Sequence, residues 1–553
     1  MVYNICMKEH FIVIRQKRKD HFYIFIAVSN GFAKGYSKQI GIGRLDKLEK
    51  IVDDPVGILK NICRDFNVND DKNKIKQEIM FKLASSQYTT NQINYGIEVF
   101  YKLLDNLKIY DCLPKTKHKE LEKIFKYIIS SRIIQADSMF QVFKNKYKFT
   151  ETPSTKKDTY YSLLDVLSEN KETILKQLNE KIINNKDREI ELVFYDSTTA
   201  YFESFERKGL RYPGYSKDGK FKEDQVVVGM CTDKNGIPIH YKLFKGNTGD
   251  PKTFIPFILE MKKLYNLKIV TIIADKGMSV AGNIRFLEQN NIDYIISYRL
   301  KSGTKSFKDY VRNETEYKGD DEFKYKEQEF ISLYKNKRPN GKLRRKIITY
   351  SRKRAIKDFE DRQILINNFN KLKNRKGFVE GTKLLGTKKY RFFKRLKDSL
   401  YELDLDKVNE DRSLDGYYIY ETSRFNLSAQ EVVDIYAKQW QIEENFRTLK
   451  SGLQLRPMYV WTDKHIEAHF LVCFISLVMM KYLIYKINNF LYENGVKDHF
   501  TNSRILDAIN SANKIQEIAN GVVIKEIYIK NENIRNQLND FTLIEQIVDD
   551  LYM

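Results

Sequence analysis

Between residues 188 and 300 the chain follows an alternation that few folds accommodate. REIELVFYD sets Ile190, Leu192 and Phe194 on one side of an extended strand before Asp196. QVVVGMC, TDKNG and IPIHYKLF read as two further strands joined by a tight turn at Asn235-Gly236. TFIPFILEMKKLY has the spacing of an amphipathic helix, LKIVTIIAD reads as a buried strand ending at Asp275, VAGNIRFLEQNN as a helix and IDYIISYRL as a strand. Asp196 is expected at the C-terminal end of the first strand and Asp275 after the fourth. If those strands are parallel, their ends lie side by side, and two carboxylates there can share hard cations through oxygen.

The order strand, strand, strand, helix, strand, helix, strand predicts an α/β fold with an RNase H-like core, 188–300. Residues 301–425 interrupt it. They hold the strand-like FKYKEQEFISLY and GYYIYETS and the charged helix KRAIKDFEDRQILINNFNKL, and read as an inserted, mostly β subdomain. The core resumes over 426–490. Upstream, FIVIRQKRKDHFYIFIAVSN and GIGRL predict a small N-terminal β unit over 1–50. Residues 75–185 change to helical periodicity, clearest in IEVFYKLLDNL, ELEKIFKYIISSRI and YYSLLDVLSENKETILKQL, and form either a DNA-binding helical domain or a solvated bundle. A helical C-terminal region, 491–553, is a candidate for dimerisation.

A third carboxylate must come from a helix beside the strand ends, and SAQEVVDIYAKQWQIEENFRTLK offers one. Ser428 and Glu431 form a capping box at its start, and Ser451-Gly452 stops it after Lys450. At about 100° per residue, Tyr436, Gln439, Trp440, Glu443, Arg447 and Lys450 share a polar stripe bordering an apolar arc of Ile435, Ile442, Phe446 and Leu449. Glu444, the rival acid, is expected further toward solvent.

YAKQWQIEENFRTLK resembles the Tyr-x2-Arg-x3-Glu-x6-Lys signature of bacterial insertion-sequence DDE transposases. Tyr436, Glu443 and Lys450 match it in identity and spacing, while Gln439 stands where the signature has Arg. FYDSTT, IIADKGM and NGIPIHYKLFKGNTGDPKTF are similar to the same family, and the resemblance extends over nearly the whole chain. The acids lie 79 and 168 residues apart, as in members with a β insertion before the Glu-bearing helix. The resemblance implies catalytic and metal-binding roles for Asp196, Asp275 and Glu443, two Mg²⁺ ions with Mn²⁺ able to substitute, and double-stranded DNA as partner. It further implies a homodimer on paired ends. Tyr436, Gln439, Trp440, Arg447 and Lys450 would contact DNA, with Lys450 holding a phosphate and Trp440 either stacking on a flipped base or packing against the insertion. A neutral amide at 439 implies weaker phosphate contact there than a guanidinium gives. Two readings stand beside this one: a catalytically impaired or domesticated DNA-binding descendant, and an RNase H-like nuclease without strand transfer.

Bulk properties agree without deciding. The 553 residues carry a formal net charge of +23, which suits a polyanionic partner but also follows from a Lys- and Asn-rich composition. The five cysteines have neither zinc-site nor disulfide-framework spacing. No signal-peptide core opens the chain, and the apolar run Phe470–Met480 is too short to span a bilayer, so a cytoplasmic, nucleoid-associated protein with no membrane partner is expected. His465 and His469 lack the Glu of a zinc motif and read as surface or packing residues.

Overall fold

In the computed structural model the described residues are 10–551 except 32–33, 53, 84–87, 112, 204–205, 217–221, 268–269, 332–338, 340, 374–391, 396–400, 457 and 520–521. Cys6 and Cys112 lie outside them; Cys63, Cys231 and Cys473 are buried free thiols. The chain divides into two compact units. One comprises residues 1–106, 139–157 and 486–553, the other residues 107–138 and 158–485. These limits cut across the pattern-based boundaries, most visibly in the helical stretch 75–185.

In the first unit, β1 (Phe11–Arg18), β2 (His21–Ser29) and β3 (Tyr36–Arg44) form an antiparallel sheet, as the N-terminal alternation predicts. Ile24, Ile26, Ile40 and Ile42 bury one face under the helices Pro55–Ile62 and Lys72–Leu83. A second sheet joins distant segments: β4 (Tyr88–Asn94) pairs with β16 (Asn513–Ala519), which pairs with β17 (Val522–Tyr528). The C-terminal region is therefore not purely helical. Its hairpin is stabilised by a partner strand some 400 residues away, which no local pattern announces.

The second unit is built on one nine-stranded mixed sheet. Its strands are β5 (Leu192–Tyr201), β6 (Gln225–Thr232), β7 (Pro238–Lys245), β8 (Thr271–Ala274), β9 (Asp293–Ser297), β10 (Lys318–Gly319), β11 (Phe323–Phe330), β12 (Arg344–Ser351) and β15 (Tyr417–Thr422). The short hairpin β13 (Phe393–Arg395) and β14 (Tyr401–Leu403) stands apart. The order is β10-β11-β12-β15-β9-β8-β5-β6-β7. β5, β8 and β9 run parallel, and β6 is antiparallel to β5 and β7. The five strands β7-β6-β5-β8-β9 have the arrangement expected of an RNase H-like core. The turn between β6 and β7 is made as the sequence predicts: Gly236 takes φ +79°, and the Asp233 carboxylate accepts the amides of Asn235 and Ile237.

The insertion departs from expectation. It is not a separate, mostly β subdomain, because β12 and β15 continue the core sheet from the β9 edge. Its described residues are also as helical as they are β, with helices Lys305–Arg312, Arg352–Lys373 and Leu405–Arg412. Buried Arg344 of β12 ties it to the core, with Nε 2.6 Å from Glu288 and Nη1 3.1 Å from Glu421 of β15.

The apolar run near 470 is part of a longer element than expected, the 31-residue helix Asp463–Glu493, long and apolar enough by composition to cross a membrane. Within the protein, 78% of its apolar window is buried. Tyr241 of β7 stacks on Phe470, and Ser476 donates to the Ile129 carbonyl of the helix His118–Ile134. These are the contacts of a core helix.

Candidate active site

β5 continues beyond Asp196 to Tyr201, so Asp196 is not at a strand end as expected. What ends there is its parallel neighbour. Tyr195 is level with Ala274, the last residue of β8, so the next residues on the two strands are Asp196 and Asp275. Both side chains are half-buried. Each is steadied by a backbone amide: Ser197 N donates to Asp196 Oδ1 and Gly277 N to Asp275 Oδ1, both at 2.7 Å. The glycine leaves room for the carboxylate, since a Cβ at Gly277 would stand 2.8 Å from Asp275 Oδ1. Arg299, just past β9, donates to the carbonyls of Lys276 and Gly277 at 2.7 and 3.2 Å and so braces the loop that carries Asp275.

The expected single helix to Lys450 is three pieces. Ala429–Ala437 begins with the predicted capping box, Trp440–Arg447 follows after a break at Lys438-Gln439, and Thr448–Gly452 is a π turn containing Lys450. The break turns Gln439 inward. It is buried rather than on a polar stripe, and its Nε2 donates to the Tyr195 carbonyl at 3.1 Å, one residue before Asp196. At the far end of this piece Asn445 donates to the Gly236 carbonyl at 2.8 Å, which fixes the helix across β5 and β6.

Glu443 lies on this helix and is exposed. Glu444, expected nearer solvent, is the more buried of the two and pairs with Lys481 at 2.8 Å. Its place is structural. Trp440 is 58% exposed. Arg447 is exposed and Lys450 half-buried. Tyr436 is half-buried, edge-to-face with Tyr420 and bonded through its hydroxyl to Tyr418 at 3.1 Å. Burial first, then the neighbouring Tyr418, raises its phenol well above the ordinary value, so it stays protonated.

Beside Asp275 opens a cleft of about 620 Å³ lined by Asp250, Lys276, Tyr298, Arg299, Arg354 and Tyr418, among others. Asp250 begins the helix Asp250–Tyr265 and accepts from Ser197 Oγ at 3.0 Å, which links it to the residue after Asp196. Arg354 comes from the insertion and lies 4.6 Å over the Tyr418 ring. Sequence reasoning did not single out Arg299, Arg354 or Tyr418; Asp250 stood within the quoted GNTGD segment without a role.

Hard oxygen donors on adjacent strands suit a divalent cation. Among the described residues, however, no three His, Cys, Asp or Glu side chains are grouped closely enough to hold a metal ion. The fold sets Asp196 and Asp275 on neighbouring strands, and carries Glu443 on the helix that packs across β5 and β6.

The model of the transposase DDE domain matches residues 187–479, from just before β5 into the long apolar helix. The chain belongs to the DDE transposase family. No curated protein sequence matches this transposase. Among solved structures it is similar to a piggyBac transposase, seen by cryo-EM in a synaptic complex with hairpin DNA. The identity is 9% and the TM-score 0.36, over 75% of this chain and 78% of that one.

Proposed function

We propose that this DDE transposase cuts DNA at the ends of a mobile element and joins those ends to target DNA, as a cut-and-paste insertion-sequence enzyme with the Tyr-Arg-Glu-Lys type of signature. The observation that carries the reading is the register that sets Asp196 beside Asp275 within the span matched by the family model. Asp196 and Asp275 would hold the divalent metal, with Glu443 as third ligand from the adjoining helix. When bound, Mg²⁺ or Mn²⁺ supplies Lewis-acid stabilisation of the attacking and leaving oxygens. Arg299 and Gly277 hold the Asp275 carboxylate in place, and Gln439 anchors the Glu-bearing helix to the strand of Asp196. Arg354, Lys276, Arg447 and Lys450 offer cations to phosphates, and Trp440 a ring for base stacking, worth about 1–3 kcal/mol. A homodimer on paired ends, in the bacterial cytoplasm at the nucleoid, completes the proposal.

That no three acidic side chains are grouped closely enough to hold a metal ion among the described residues favours a second reading, a catalytically impaired or domesticated DNA-binding descendant. Cleavage of a linear DNA bearing the element ends, with Mg²⁺, separates the two. Wild type is expected to nick the ends and join them to a target plasmid, while Asp196→Ala, Asp275→Ala and Glu443→Ala bind but do neither. Binding by wild type without cutting in Mg²⁺ or Mn²⁺ would reject the catalytic proposal. Nicking without joining would leave a nuclease.

A further inference from the structure

Past Tyr195, the strand that carries Asp196 loses its support on one side. β8 ends at Ala274, opposite Tyr195, whereas β5 runs on to Tyr201 paired with β6 on its other side. Asp196 is thus the first residue of β5 beyond the stretch paired with β8. A carboxylate there is aimed only as well as the backbone beneath it is held.

Two side-chain bonds hold that backbone, one on each side of Asp196. Successive side chains of a strand point to opposite faces. Val193 and Tyr195 pack with Phe254 and Phe257 of the helix Asp250–Tyr265, and Phe194 packs on the other face with Val432 of the helix Ala429–Ala437. By this alternation Asp196 shares a face with Phe194, and Ser197 shares one with Tyr195. Both flanking residues reach the first turn of the helix Asp250–Tyr265. Ser197 Oγ donates to Asp250 Oδ1 at 3.0 Å. Thr253 Oγ1 gives its one proton to the Asp250 carbonyl at 2.6 Å, so the Tyr195 hydroxyl, 2.7 Å away, is the donor to Thr253. Tyr195, Ser197 and Thr253 are buried, which shields these bonds from water.

Ser197 is the link between two acids. Its amide donates to Asp196 Oδ1 at 2.7 Å while its hydroxyl donates to Asp250. An ionised carboxylate only accepts, so Asp250 fixes the direction of the hydroxyl, and a place in the first turn of a helix favours its negative charge. Asp250 also lines the cleft beside Asp275. Among the described residues no three acids are grouped closely enough to hold a metal ion, so Asp250 stands to act through Ser197 and not as a ligand.

We propose that Asp250 is a positioning residue of this active site: it holds Ser197, and Ser197 fixes the Asp196 carboxylate for metal binding. The inference rests on the reading of Asp196 and Asp275 as metal ligands and adds to it the residue that steadies the less supported of the two strands.

The test is Mn²⁺ binding to the full chain, followed by loss of the free-ion electron paramagnetic resonance signal, with thermal unfolding of each variant alongside. Asp196→Ala identifies the site, since it should remove the tightest Mn²⁺. Asp250→Ala and Ser197→Ala should each weaken Mn²⁺ binding about tenfold, the lower end of what losing a partner of a ligating group costs. The double variant should lie within about threefold of either single one, because the same bond is lost in all three. Asp250→Asn keeps an acceptor oxygen for Ser197 and should stay within about threefold of wild type. Ser197→Ala removes the hydroxyl without stranding a buried group, so it carries the test if Asp250→Ala does not fold. Wild-type affinity in both single variants, with only the melting temperature lowered, would make the bond a brace of the fold and overturn this inference alone. Losses that multiply in the double variant would also overturn it. So would a loss in Asp250→Asn as large as in Asp250→Ala, since Asp250 would then act by its charge. If wild type takes up no Mn²⁺, or Asp196→Ala binds it as wild type does, the metal reading of the acidic pair falls and this inference with it.

Discussion

Asp275 shows how little space separates a positioned carboxylate from a displaced one. Its turn is closed by the Gly277 amide and braced by Arg299, and the missing side chain at 277 is what lets the carboxylate lie there. Gly277→Ala is therefore expected to push the carboxylate aside with little effect on stability. Single-turnover cleavage should fall by about 10²-fold, the scale of an ångström-level misplacement of a catalytic group. A rate within twofold of wild type would mean that the turn yields instead. Gln439 works through burial. Gln439→Ala leaves the Tyr195 carbonyl without its donor, so urea unfolding should show a loss of about 1–3 kcal/mol. Gln439→Arg, which restores the signature residue, must place a guanidinium in the same buried space. It should lower stability unless the helix break reopens.

At the scale of elements, the insertion is held to the core by charge as well as by strand pairing. Arg344 faces both Glu288 and Glu421 away from water. Burial raises the Glu421 carboxyl, and Lys346 and Arg344 work against that. Removing the arginine leaves Glu288 without its buried cation and Glu421 with Lys346 alone, so Arg344→Ala is expected to cost about 3–5 kcal/mol, measured by chemical denaturation. The triple variant Arg344→Met/Glu288→Leu/Glu421→Leu should recover much of that, since an apolar replacement of a buried ionic group is often neutral or better. Because β12 and β15 extend the sheet whose strand β8 leads into Asp275, the single variant should also lower cleavage, whereas loss of stability with full cleavage would show that the insertion is not needed to hold the site.

For the whole molecule, pH reads the buried histidines. Burial, followed by the charge of Arg132, lowers His469 to about 3, and burial also lowers His240 despite its bond to Glu260. An imidazole whose folded pKa is depressed contributes stability above its ordinary value near 6.5. That stability is lost as pH falls toward the folded value, because the unfolded chain binds the proton first. Between pH 6.5 and 4.5 the unfolding free energy should fall by up to about 1.4 kcal/mol per pH unit on account of His469. His469→Gln should flatten the slope; an unchanged slope would mean that His469 is already charged in the fold. Glu260 acts lower down. Burial alone would raise it, but His240 and Lys242 hold it at about 2, so its contribution is present above about 4.5 and lost only as pH falls from there toward 2.

The order of strands and helices in the core, the hairpin turn at Gly236, the capping box at Ser428 and the placement of two aspartates on neighbouring strands were legible in the residues alone. Each depends on a local rule, such as a two-residue or 3.6-residue period, a turn residue or a cap. Tertiary structure decided the rest. It stopped β8 beside Asp196 while β5 ran on, and broke the expected helix at Gln439 to satisfy a strand carbonyl. It half-buried Glu444 against Lys481 while leaving Glu443 exposed, added the insertion to the core sheet and paired β4 with β16. None of these could be read locally, because each satisfies a backbone group, a charge or an apolar face with a partner distant in the chain, and only the folded arrangement supplies that partner.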